Sequence, residues 1–237
     1  MKMIRIPLML ALLALILLAV SGPGVRLGLW PFPFGFQVMR WAAYCGLAAI
    51  AGSVFAFAVP SWRARGLRTL MFSIVLGSGV AYFPWQIVQQ AKTLPPIHDI
   101  STDLLDPPAF VAILPLRANA ANPAAYGGPE IAAAQRAAYP DVQPLTLSEP
   151  TAKAYARALA AARRSGWQII AASQPSGRIE ATATTPWFGF KDDIVVRVRP
   201  SADGSRIDVR SVSRVGSSDV GANAKRIRRY LAAVRSE

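Results

Sequence analysis

The residues with the strongest claim to chemistry in this 237-residue chain are the neighbouring carboxylates Asp192 and Asp193, together with Arg214. Two carboxylates beside a guanidinium can trade a proton, hold a cation, or tie a strand end to a helix start. Adjacent strand residues point to opposite faces, which weighs against one paired acid/base centre and favours the tie. A second group alternates with apolar residues: Arg178, Glu180, Arg197, Arg199, Arg206, Asp208 and Arg210, five cations against two carboxylates. Such a surface either binds an anion, for example a phospholipid head group, or is a solvated sheet face with cross-strand ion pairs. His98 with Asp99 and Asp103 makes a poor metal site. One histidine, and a single cysteine at Cys45, leave a transition metal short of favoured ligands, so neither a metal nor a cofactor is expected. A serine, histidine and aspartate triad would have to use the same His98, and no motif surrounds any serine. Gly216 and Gly221 flank Ser217 and Ser218, but the lysine that closes a phosphate loop is missing. The basic run Lys225, Arg226, Arg228 and Arg229 reads as a wet helix face or a contact for acidic lipid.

Charge and apolar residues are distributed unevenly. The chain holds 26 Lys+Arg, 13 Asp+Glu and 53% hydrophobic residues, yet its first carboxylate is Asp99. Residues 1 to 98 contain eight cations, whereas the remaining 139 residues carry 18 cations and all 13 acids, a balance of +5. A membrane part over 1–90 followed by a water-soluble part accounts for this division. The run 6–20 is either a first span or the apolar region of a signal peptide, since it is short for a bilayer and Ala19 and Ser21 suit a cleavage before Gly22. The runs 38–59 and 67–88 are long enough to span. Arg63, Arg65 and Arg68 lie in or beside the short loop between them, and short cationic loops stay cytoplasmic. This places the chain in an inner (cytoplasmic) membrane, multi-pass, with everything after about Gln90 on the non-cytoplasmic side. Trp30, Trp41, Trp62, Tyr82 and Trp85 would sit at the two interfaces, and no ionisable residue lies mid-span, which argues against a transporter.

Residues 91–149 read as an extended, proline-punctuated strap. Residues 150–237 show regular patterns: a helix from about Glu149 to Arg164, four strands over 167–172, 178–184, 193–199 and 206–213, and a final helix from about Val220 to Val234. The turn at Ala202 and Asp203 sets a register in which partner numbers sum to 405, pairing Val198 with Ile207 and Arg197 with Asp208. The expected fold class is α+β: N-terminal transmembrane helices, then a soluble domain with a four-stranded antiparallel meander covered on one face by two helices.

Four motifs in order resemble domain-of-unknown-function family 1499. They are Pro96 to Asp103 (PIHDISTD), Ala138 to Asp141 (AYPD), Trp187 to Asp193 (WFGFKDD), and Val209 to Gly216 (VRSVSRVG) with Asp219 to Asn223 (DVGAN). The resemblance covers about Pro95 to the carboxyl terminus and leaves the spans outside it. It implies a domain identity without a reaction, and it directs attention to Tyr139, Asp141, Trp187, Phe190, Asp192, Asp193, Arg210, Ser213, Arg214, Asp219 and Asn223 as either a pocket or a structural signature. The leading functional expectation is a non-catalytic, membrane-anchored envelope domain. Its partner would be membrane lipid, a small anionic ligand or another envelope protein, bound through that cluster or through Arg178, Arg197, Arg199 and Arg206. Nucleic acid is excluded by sidedness. The alternative is a hydrolase-like envelope enzyme using Asp192 or Asp193 with Arg214.

Overall fold

The computed structural model describes residues 2–236, which divide into two compact units. The first comprises residues up to Gln90 together with Pro186–Gly189. Its three helices, α1 (Lys2–Arg26), α2 (Phe32–Ala58) and α3 (Pro60–Thr93), are each long and apolar enough to cross a membrane. Helix α1 runs on through Gly22 and Pro23, so the first apolar run belongs to a longer helix than its aliphatic stretch indicates. Only Val59 separates α2 from α3, and the expected loop at 60–66 is helical, placing Arg63, Arg65 and Arg68 in the first turns of α3. Proline suits a first helical turn, where its missing N–H costs nothing.

Packing between these helices relies on small residues. Ala14, Ala42 and Val80 meet in one buried cluster drawn from all three. Where α2 crosses α3, a Cβ at Gly46 would stand 2.7 Å from the Gly77 carbonyl oxygen, and the reverse holds for Gly77. Only glycine permits so close an approach of two backbones.

The second unit, 91–185 and 190–236, is an α+β domain. Its strands are β1 (Asp99–Ser101), β2 (Leu145–Leu147), β3 (Gln168–Ser173), β4 (Arg178–Thr184), β5 (Lys191–Ser201) and β6 (Gly204–Ser213). The sheet is antiparallel with order β1-β6-β5-β4-β3, and β2 also pairs with β6. The β5–β6 register matches the expected sum, with Val198 opposite Ile207 and Arg197 opposite Asp208. Six strands rather than four is a correction. Strands β1 and β2 come from the strap, and three residues are too few to show an alternation. Each pairs with one stretch of the ten-residue β6, closing what would be an open edge.

The strap, expected to be extended, also contains the short helix α4 (Gly128–Ala138). Pro129 stands in the first turn and starts the helix instead of preventing it. Helices α5 (Thr151–Arg164) and α6 (Ala222–Arg235) cover the apolar sheet face as expected, burying Ile179, Ile194, Val196, Ile207 and Val209 beneath Tyr155, Ala158, Ile227 and Val234. Trp167 stacks on Tyr230 at 4.7 Å, and the Tyr230 hydroxyl donates to the Ala158 carbonyl at 2.8 Å. Burial pushes that phenol far above its ordinary pKa. The opposite face is covered too. Phe110 and Ile113 of the strap pack on Val195 and Val212, so the charged face is roofed over much of its area rather than open to water.

The glycine crossing yields a paired test. Gly77→Leu should destabilise the full chain in detergent by about 1–3 kcal/mol through overpacking. Gly79→Leu, where an added Cβ meets nothing within 4 Å, should leave the melting temperature nearly unchanged.

Candidate functional site

The residues expected to form one polar cluster are divided by the sheet. Alternation along β5 sends Asp193 toward the strap and Asp192 toward α6.

On the strap side Asp193 is fully buried. Its Oδ2 accepts from Arg117 Nη1 at 2.6 Å and Arg214 Nε at 2.8 Å, while its Oδ1 accepts from Arg214 Nη2 at 2.8 Å and Thr182 Oγ1 at 2.7 Å. Burial works against ionisation, but the hydrogen bonds from Arg214, Thr182 and Arg117 outweigh it and hold this carboxyl below the ordinary range. Arg117 also donates to the Asn122 carbonyl at 3.0 Å, and Asn122 Nδ2 donates to the carbonyls of Ser213 and Gly216. Arg210, also buried, forms a two-pronged pair with Asp99 at 2.9 and 2.7 Å and lies between the rings of Phe110 and Tyr126. Burial and then the Asp99 charge push the Tyr126 phenol up to about 12. Glu180, fully buried, accepts the successive backbone N–H groups of Val111, Ala112 and Ile113 at 2.9, 3.1 and 2.9 Å.

On the helix side Asp192 accepts from Arg226 Nη2 at 2.5 Å. Arg226 also donates to Ser211 Oγ and Asn223 Oδ1. Asn223 Nδ2 donates to Ser213 Oγ at 2.9 Å and to the His98 carbonyl at 3.1 Å, while Ser211 Oγ donates to Asn223 Oδ1 at 2.6 Å. Asp219, two residues before the N-cap Gly221 of α6, accepts from the backbone N–H groups of Gly221 at 2.8 Å and Asn223 at 2.7 Å. Between them the backbone holds Val220 at φ 51° and Gly221 at φ 79°, and a left-handed β-branched residue is a local strain. Burial, with the nearby Asp192 charge adding to it, raises the Asp219 pKa in spite of those bonds. Tyr139 is buried with its hydroxyl unpartnered, and burial followed by the Asp219 charge raises its phenol. Asp141 stands apart, paired in two prongs with Arg228 at 2.6 and 2.7 Å. That hydrogen bonding lowers its carboxyl.

Asp192, Ser213, Asp219 and Asn223 therefore converge, with Tyr139 close by. Asp193 and Arg214 form a separate knot, Arg210 another, and Trp187 belongs to the first unit. Of the arginine face, Arg197, Arg199 and Arg206 meet Asp103, Asp106 and Asp208, whereas Arg178 has no ion-pair partner among the described residues. Sequence reasoning missed Arg117, Asn122 and the pairing role of Asp99, Asp103 and Asp106. The signal for the carboxylates was the charge excess itself: five arginines against two acids on a face that becomes covered must draw counter-charge from elsewhere in the chain. Among the described residues no three His, Cys, Asp or Glu side chains form a group able to hold a metal.

Three apolar helices that fit a membrane anchor, followed by an antiparallel α+β domain whose buried charges fasten its own strap, define the class of chain. It belongs to the family described as Protein of unknown function (DUF1499), whose model matches residues 99–234, more than half of the chain. No curated protein and no solved structure matches it.

Two outcomes follow from the buried acids. Asp193→Asn strands Arg117 and Arg214 without their counter-charge and should lower unfolding free energy by about 3–5 kcal/mol, measured by thermal unfolding of the full chain. A role confined to proton transfer would leave the melting temperature intact. Asp219 has its folded pKa raised, so its contribution to stability is fully present below the unfolded pKa and is lost as pH rises through the folded one. The melting temperature of the natural chain minus that of Asp219→Asn should accordingly be larger at about pH 3.5 than at pH 7; an equal difference at both would refute the assignment.

Proposed function

We propose that this chain is a membrane-anchored, non-catalytic binding domain that works on the non-cytoplasmic side, with an anionic lipid, a small anionic ligand or another envelope protein as its partner. The observation that carries the reading is the engagement of the acids: two guanidiniums enclose Asp193, a third holds Asp192, and the two point to opposite faces of the sheet. A group held this firmly is a fastener, while general acid/base work needs a carboxyl within reach of substrate and free to exchange its proton. The alternative, a hydrolase using Asp192 or Asp193 with Arg214, would require these same groups to be released.

Sidedness rests on Arg63, Arg65 and Arg68 at the start of α3, and Lys2 and Arg5 at the amino terminus agree with it. With that turn inside, α2 runs inward and α3 outward, carrying residues after about Gln90 away from the cytoplasm.

Single cysteines at Ser61 and Ser165, both exposed, test the arrangement in a Cys45→Ser background. In right-side-out membrane vesicles an impermeant maleimide should label Ser165→Cys at once and Ser61→Cys only after permeabilisation. The reverse pattern would put the domain in the cytoplasm and end this reading.

A further inference from the structure

The three carboxylates on the arginine face are held very differently. Asp208, fully buried on β6, is fixed by Arg197 at 3.1 Å, Arg199 at 3.0 Å and Arg206 at 2.8 Å. Asp103 is held by its own turn, since its Oδ1 accepts the backbone N–H groups of Leu105 and Asp106, and its Oδ2 meets Arg206 at 2.8 Å. Burial opposes its ionisation, but those turn bonds and the arginine charges keep the carboxyl below its ordinary value. Asp106 is 66% exposed, and among the described residues no backbone N–H holds its carboxylate. A single oxygen, Oδ2, bridges Nη1 of Arg197 and Nη1 of Arg199, each at 3.0 Å. Arg178, the cross-strand neighbour of Arg197, stands without an ion-pair partner among the described residues. Four guanidiniums thus face three carboxylates, and the surplus charge adjoins the most exposed of them, whose main-chain carbonyl also accepts from Arg197 Nη2 at 2.8 Å.

We propose that Arg178, Arg197 and Arg199 form a binding site for a phosphate group, and that Asp106 occupies it as an internal stand-in which the incoming phosphate displaces. One oxygen shared between two guanidinium forks is a contact that a phosphate oxygen can take over, leaving further oxygens to reach Arg178. Displacement does not undo the strap, because its deeper attachments lie elsewhere, at Glu180, at Asp193 with Arg117, and at Asp99 with Arg210. The salt bridges to Asp106 are solvent-facing, and such pairs are weak enough to be exchanged. The site rests on the binding reading above and specifies its ligand chemistry. The Asp193→Asn melting comparison and the cysteine labelling examine that reading, whereas the titration below examines only this site.

Isothermal titration of the full chain in neutral detergent micelles, with inorganic phosphate and separately with dihexanoyl phosphatidylglycerol, distinguishes a free anion from a lipid head group. Asp106→Asn should tighten binding of at least one probe about fivefold, the scale of one exposed charge pair. Arg199→Gln should abolish saturable binding while Arg178→Gln, which has no structural partner to lose, should weaken it about fivefold. Binding of both probes assigns the shared phosphate group, and binding of one assigns its source. Absence of saturable binding to both the natural chain and Asp106→Asn, or binding that Arg178→Gln and Arg199→Gln leave intact, overturns the site.

Discussion

The domain depends on bringing charge under cover without leaving any of it alone. Asp193 shows the constraint most plainly: a carboxylate with no access to water survives there because Arg117 arrives from the strap and Arg214 from beyond β6, with the Thr182 hydroxyl completing its shell. Removing two ions from water is costly, and only tight geometry with additional hydrogen bonds makes it tolerable. The same solution recurs at Arg210 with Asp99 and, in a different form, at Glu180 beneath three backbone N–H groups. Each of these joins sheet to strap. Hydrophobic contact across that face is small, four buried residues, so the ions set where the strap lies as much as apolar burial does.

The basic balance of the chain takes on a different meaning in this light. Most of the arginines on the sheet are neither a field for distant partners nor idle surface charge. They are half of an internal lattice whose other half is Asp99, Asp103 and Asp106 from the strap and Asp208 on β6 itself. The segments that carry the resemblance follow the same division: Pro96 to Asp103, the paired aspartates, and the run from Val209 to Asn223 are the places where strap, sheet and α6 are fastened to one another.

Much of the core was legible from the residues because its signals are local. The alternation of Ile194, Val196 and Val198 with Arg197 and Arg199, and the turn at Ala202 and Asp203, define β5, β6 and their register without reference to anything distant. The separation of Asp192 from Asp193 follows from the same period of two. The strap resisted reading for an equally physical reason. Strands β1 and β2 are three residues long, and what makes them strands is the free edge of β6, a partner that local sequence does not contain. Arg117 and Asn122 likewise carry no pattern; their roles exist only because the chain returns across the sheet.

The order of the strands has a consequence for how the chain reaches this state. Asp99 and Arg210, which clasp β1 to β6, are 111 residues apart, and β6 is the last strand to be made. The strap emerges directly after α3, so during synthesis it waits with its acids and with Phe110 and Ile113 uncovered until nearly the whole domain has followed. Contacts this remote in sequence form late and slowly. Assembly of the domain is therefore a closing event governed by completion of the carboxyl-terminal third, and a nascent chain stalled before β6 would present an unclasped, aggregation-prone strap.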